Sequence, residues 1–272
     1  MKRIAILVIA AFNQEVYKHY IDTYWIDLIN YTNKHKPNIA IYLLFDRNMD
    51  LTKYEEIRSN IIVDGNTDYN GFVKEKVKNF IPGILSKTVY AFEKLQHEID
   101  VCFRTNLSSM IHINKLEKYV EANDIIYSGA YCWGDALRSD LIHRNAVGPN
   151  KSIKSLVELE EYEGNTFISG CGYFLNSNEI NHIIEHKRKI RYDIIDDVSI
   201  GLMLKDYKSL NKFIIKIRKS DSPETVLKKL NEDYIHVRLE HLPLEKAKEV
   251  YDLVKKERLS YLPQSHSFSA KV

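Results

Sequence analysis

Two adjacent carboxylates, Asp196 and Asp197, stand in the otherwise apolar run Ile194-Ile195-Asp196-Asp197-Val198-Ser199-Ile200-Gly201. Burying charge there is costly unless something compensates it. Two roles meet that cost. Carboxylates at a helix N-terminus accept free backbone N–H groups as caps. Alternatively, one of them serves as a general base toward a hydroxyl. A second concentration of chemistry, Arg104-Thr105-Asn106-Leu107-Ser108-Ser109, follows an apolar run and sets hydrogen-bonding side chains at a strand's carboxyl end. A third pattern, His182-Ile183-Ile184-Glu185-His186, matches the inverted zinc-protease signature. With Ile180 at zero and about 100° per residue, Ile183 and Ile184 fall near ~300° and ~40°, and the histidines near ~200° and ~240°. The histidines oppose the apolar face, so this helix reads as a solvated surface; a metallopeptidase would instead hold stoichiometric zinc.

The elements that must position these groups are read from hydrophobic spacing. The run 4–12 is rich in Ile and Val and follows Lys2 and Arg3, like a short signal-peptide core. It is too short to span a bilayer and leads directly into an amphipathic helix over 15–34, so it reads as a buried central strand. Further strands are expected at 39–45, 61–63, 99–103, 125–133, 167–175, 213–217 and 234–239. Helices are expected at 80–97, 177–188, past Asp197 and at 244–258, and a charged irregular region through about 164. Apolar strands alternating with helices predict an α/β fold with a mostly parallel central sheet flanked by helices. In such sheets ligands sit beyond the strands' carboxyl ends.

The 272 residues carry 39 Lys plus Arg against 37 Asp plus Glu, and this near balance lacks the basic excess that nucleic-acid binding favours. Cys102, Cys132 and Cys171 lie far apart without C-x-x-C spacing, so neither a thiolate zinc site nor a disulfide framework is suggested. Reduced thiols and the absence of a membrane-length run point to a cytoplasmic chain. One domain over 1–262 is expected, with a fraying tail over 263–272.

Four motifs in order resemble the GT-A (Rossmann-like) nucleotide-sugar glycosyltransferases, particularly the β-1,3-galactosyltransferase-like group. They are Leu85-Ser86-Lys87-Thr88, the Asp100 to Ser109 segment, Gly170-Cys171-Gly172-Tyr173-Phe174-Leu175 and Asp196-Asp197-Val198-Ser199-Ile200-Gly201, and the similarity covers roughly residues 60–204. The resemblance implies transfer of a hexose or pentose from a nucleotide diphosphate sugar, UDP-linked, to a glycan or lipid-linked hydroxyl acceptor with inversion. It assigns Asp197 as general base, with Asp196 replacing the family's preceding Glu. Gly170 and Gly172 would let backbone approach the sugars, while Trp133 and Tyr173 would offer aromatic faces or simply pack. Ala11, Phe12 and Asn13 lie where this fold receives the uridine, and Asp46 would bond base or ribose, unless Asn13 and Asp46 are ordinary turn residues.

The chain departs from the family at the metal motif. Where the family holds Mn²⁺ through Asp-x-Asp, this chain has Asn106-Leu107-Ser108. Neutral oxygens bind a hard cation much more weakly than carboxylates. Either transfer proceeds without a firmly held ion, or Mn²⁺ or Mg²⁺ is held by the diphosphate and another ligand such as His236. Lys87, Arg104, Asn106 and Ser108 are the candidates to face the departing diphosphate. A non-catalytic sugar- or nucleotide-binding module on the same scaffold is the alternative.

Overall fold

The computed structural model describes residues 1–10, 15–47, 49–65, 83–129, 132–133, 167–190, 196–205, 208–210, 214–216, 222–231, 235–239 and 242–261. The expectations for residues 11–13 and the tail over 263–272 lie outside the described residues.

In chain order, strand β1 (Ile4–Ile9) leads into α1 (Glu15–His19), a π-helical stretch (Tyr20–Trp25) and α2 (Ile26–His35). Then follow β2 (Ile39–Asp46), β3 (Ile61–Asp64), α3 (Gly83–Leu95), β4 (Val101–Asn106), β5 (Ser109–Ile111) and α4 (Ile113–Ala122). The middle of the chain supplies β6 (Tyr127–Gly129), β7 (Cys132–Trp133), β8 (Phe167–Ile168), β9 (Gly172–Asn176), α5 (Ser177–Glu185) and α6 (Asp196–Met203). The last elements are β10 (Lys208–Leu210), β11 (Ile214–Lys216), α7 (Pro223–Asn231), β12 (His236–Arg238) and α8 (Leu244–Tyr261).

Seven strands form the main sheet in the order β10-β6-β9-β4-β1-β2-β3. Only β9 runs against its neighbours β4 and β6; the other pairings are parallel. All six residues of β1 are buried, as a central strand covered on both faces requires. Ile4, Ile6 and Val8 enter the core beneath α2 and α4, whereas Ala5, Leu7 and Ile9 enter the core beneath α3 and α5. This alternation makes an α/β fold with a mostly parallel sheet between helical layers. A smaller sheet, β11-β12-β5, packs beside it. Among the described residues no helix is long and apolar enough to cross a membrane.

Three departures from the sequence expectations bear on the site. The 99–103 strand continues to Asn106, because Arg104 and Thr105 stay in register with Leu7 and Val8 on one side and with Tyr173 and Gly172 on the other. The run 167–175 is two strands separated by a turn at Ser169-Gly170-Cys171, so Gly170 lies in a turn and not in a strand. The helices Ile113–Ala122 and Pro223–Asn231 were not foreseen; the first is short and capped by the His112 side chain, which accepts the Lys115 N–H at 3.4 Å.

A candidate active site at the carboxyl edge of the sheet

Parallel strands β1, β2, β3 and β4 all end on one edge, which places Ala10, Asp46, Asp64 and Asn106 side by side. Ile9 pairs with both Leu44 and Asn106, and Asp46 pairs with Asp64. The start of α6 and the turn before β9 close on the same edge, bringing the acid pair to Arg104.

Arg104 sits in mid-sheet, and its side chain is only 2% exposed. A guanidinium at that depth must be paired. Nη2 donates to Asp196 Oδ2 at 2.7 Å, and Nη1 donates to the Gly170 carbonyl. Its plane also stands 5.7 Å from the Tyr173 ring centroid. Asn106, two residues along the same face of β4, donates Nδ2 to the Gly170 carbonyl at 3.1 Å. The Gly170 N–H in turn donates to Asp197 Oδ2 at 3.0 Å, and the Val198 N–H donates to Asp197 Oδ1 at 3.0 Å. Gly170 is demanded by space: a Cβ there would lie 2.9 Å from Arg104 Nη1 and 3.4 Å from Asp196 Oδ2.

The two carboxylates therefore occupy unlike surroundings. Asp196 is ion-paired with Arg104 and partly open, while Asp197 is 9% exposed and receives only backbone donors. Burial, with the Asp196 charge beside it, pushes the Asp197 carboxyl up to about 7; the Gly170 N–H, Arg104 and the Val198 N–H pull in the opposite direction. A buried carboxyl raised to this range suits acid–base work near neutrality.

A second buried pair lies under the ends of β1 and β2. Lys87 from α3 is 1% exposed and donates to Asp46 Oδ2 at 3.2 Å and to the Ala10 carbonyl at 3.4 Å. Burial lowers the Lys87 pKa, with Asp46 opposing that effect. Lys87 is thus fully buried, and Asp46 is the last residue of β2 and not an ordinary turn residue. Asp46 Oδ1 is buried and has no hydrogen-bond partner among the described residues. Beside them Ser86 donates to Asp64 Oδ2 at 2.7 Å. Asp64 was legible only as a turn residue after the third strand.

Several expected contacts with ligand become contacts within the protein. Arg104, buried, donates from one terminal nitrogen to Asp196 and from the other to the Gly170 carbonyl. Tyr173 is buried against Arg104 and edge-on to Tyr127, which makes it a packing residue and not an open sugar platform; burial also pushes its phenol up. Gly172 opens β9 opposite Thr105. Trp133 pairs with Phe167 across β7 and β8.

The Asn106-Leu107-Ser108 corner is pinned from elsewhere. Trp25 Nε1 donates to the Leu107 carbonyl at 3.0 Å, and the Leu239 N–H donates to the Ser108 carbonyl at 2.6 Å. His236 is fully buried, with Nε2 at 3.0 Å from Thr105 Oγ1; that hydroxyl also reaches Ser109 Oγ at 2.8 Å and the Cys171 carbonyl at 3.0 Å. Burial pushes the His236 imidazole down to about 3, with the Arg238 charge adding to that effect. These donors are neutral or committed, and among the described residues no group of three His, Cys, Asp or Glu side chains converges. The Asn106-Leu107-Ser108 corner offers no carboxylate to an Mn²⁺ or Mg²⁺ ion, and His236 Nε2 is engaged with Thr105. Among the described residues no group of three His, Cys, Asp or Glu side chains gathers at His182 and His186, whose rings lie 4.4 Å apart at the carboxyl end of α5, while Ile180 and Ile183 are buried.

No family model matches this chain, and no curated protein matches it. Solved structures are similar in part. The galactosyltransferase LgtC, in complex with donor and acceptor sugar analogues, aligns over 92% of this chain and 95% of its own at 12% identity and a TM-score of 0.44. Mouse xyloside xylosyltransferase 1 in its apo form aligns over 87% and 97% at 9% identity and a TM-score of 0.43. Apo GlyE of Streptococcus pneumoniae aligns over 96% of this chain and 64% of its own at 10% identity and a TM-score of 0.44.

Proposed function

We propose that this chain is a glycosyltransferase of GT-A type that moves a sugar from a nucleotide diphosphate donor, UDP-linked, to a hydroxyl of a glycan or lipid-linked acceptor in the cytoplasm. The observation that carries this reading is the pair of adjacent carboxylates in unlike surroundings at the sheet's carboxyl edge. Asp197, near neutrality in pKa, takes the proton from the acceptor hydroxyl. The acceptor oxygen forms its bond to the anomeric carbon as the bond to the diphosphate breaks, and the electron pair leaves with the nucleotide. Attack opposite the leaving group inverts the anomeric centre, and the transition state has the oxocarbenium character of glycoside cleavage. Asp196, ion-paired with Arg104, holds charge beside the base. Asp46 offers its free Oδ1 to a donor hydroxyl or base N–H, and Lys87 acts by holding Asp46. No step here passes through a metal ion.

A panel of UDP-sugars tests this reading, with released UDP as the readout. Release that is abolished in Asp197→Asn supports the transferase. One observation favours a second reading, a binding module: both Asp197 oxygens already accept backbone N–H groups, as in a purely structural latch. Saturable UDP-sugar binding without UDP release from any donor selects the module.

A further inference from the structure

We propose that Arg104 is a positioning residue: through Gly170 and Asp196 it sets where the Asp197 carboxylate points, and it does not itself meet the donor. This rests on Asp197 being the base.

The path is continuous in hydrogen bonds. Arg104 and Asn106, on one face of β4, both donate to the Gly170 carbonyl, and Arg104 also holds Asp196 at 2.7 Å. The Gly170 N–H is one of the two backbone donors that grip Asp197. A strand buried in the sheet is thereby tied to the first turn of α6 through one glycine whose two sides are both held. The hydrogen-bonded links from Arg104 to Asp197 run through that glycine and the neighbouring acid; its Nε is buried without a partner among the described residues. The groups whose charge bears on Asp197 are Asp196 and Arg104, and Tyr173 stands buried against the guanidinium.

The planar fork matters as well as the charge. Guanidinium nitrogens engage a carboxylate and a carbonyl at once in fixed geometry, whereas an ammonium is a point charge on a flexible stem. Arg104→Lys therefore keeps the positive charge and loses the bridge, and Asn106→Ala removes the second donor with no change in charge. Any effect these variants share reads geometry.

The test is a carboxyl titration followed by ¹³C NMR in the substrate-free full chain labelled at aspartate, with Asp197→Asn to assign the resonance. In Arg104→Lys, Asp197 is expected to titrate about one pH unit higher than in wild type. Asn106→Ala is expected to move it the same way by less. The Gly170 amide should exchange roughly tenfold faster in both, and UDP binding by calorimetry should stay within about threefold of wild type. An unchanged Asp197 titration in either folded variant overturns the proposal, as does loss of UDP binding by tenfold or more in Arg104→Lys. Because the titration needs no substrate, it can fail while UDP release from a sugar donor still succeeds, and the reverse, so the two readings are judged apart.

Discussion

The Asp197 carboxylate accepts the Gly170 N–H at 3.0 Å, joining two segments 27 residues apart in sequence. That single bond ties the helix carrying the acid pair to the turn that Arg104 holds from the sheet. In the proposed transfer the bond matters because a base is useful only when its lone pair is aimed.

Replacing Asp197 by Asn keeps the side chain's size, removes the base and leaves one of the two backbone N–H groups facing an amide NH₂. UDP release from the active donor should fall by about 10²–10⁴-fold, while calorimetric donor binding stays within a few-fold and melting remains cooperative. A variant that retains full turnover would remove Asp197 from the mechanism; one that fails to fold would make it a cap.

The Asp197 value of about 7 sets opposite slopes for rate and stability. The base must be deprotonated, so turnover should rise with pH through about 7 and level off above it. Stability moves the other way. The folded state holds the Asp197 proton more tightly than the unfolded chain, whose ordinary value is 3.8; this contribution is full below that value and is lost as pH rises through about 7. Urea titrations of wild type and Asp197→Asn across this range should show the two stability curves diverging as pH rises, the wild type losing ground. Parallel curves would mean that burial does not shift Asp197.

His236 supplies the opposite acid-side slope. Its folded value of about 3 lies below the ordinary 6.5, so its contribution is present above 6.5 and is lost as pH falls toward 3. His236→Gln, which cannot take up a proton, should flatten this part of the acid unfolding curve. An unchanged acid limb would place the imidazole's titration elsewhere.

Gly170→Ala inserts a methyl 2.9 Å from Arg104 Nη1. The guanidinium is held on both sides and cannot yield cheaply, so the substitution should cost about 1–3 kcal/mol in chemical denaturation. It should also slow UDP release, since Asp197 loses its aim. A neutral effect on both would show that the turn is loosely packed around this residue.

Lys87 and Asp46 test the second buried pair. Asp46→Asn leaves a buried ammonium without its counter-charge and should cost on the order of 3–5 kcal/mol. The double variant Lys87→Met with Asp46→Leu should recover much of that loss, because an apolar pair needs no compensation. Equal stabilities for single and double variants would rule out coupling between the two residues.

Much of the scaffold was written locally. The apolar runs that became β1, β2 and β3, the turn residues that end them, and the amphipathic spacing of α3 and α5 are short-range patterns with a fixed period, and period is what a single chain displays. The carboxylates inside an apolar run and the polar stretch from Arg104 to Ser109 were equally visible, as was the outward placement of His182 and His186. Which groups would be satisfied by which was not visible. Arg104 was read toward a diphosphate and Tyr173 toward either a sugar or the core; β9 lies antiparallel against β4 and sets a buried Tyr173 opposite Arg104, whose guanidinium is held by Asp196 and Gly170. Lys87 was expected to face a diphosphate; its helix lies over the ends of β1 and β2 and buries it against Asp46.

Residue types and spacing alone determined the α/β class, the sheet edge proposed for the chemistry and the presence of the acid pair. Only the tertiary structure decided that Asp196 would take the guanidinium and Asp197 would not. Both acids are identical in kind and adjacent in sequence, and the charge that distinguishes them arrives from a strand 92 residues away.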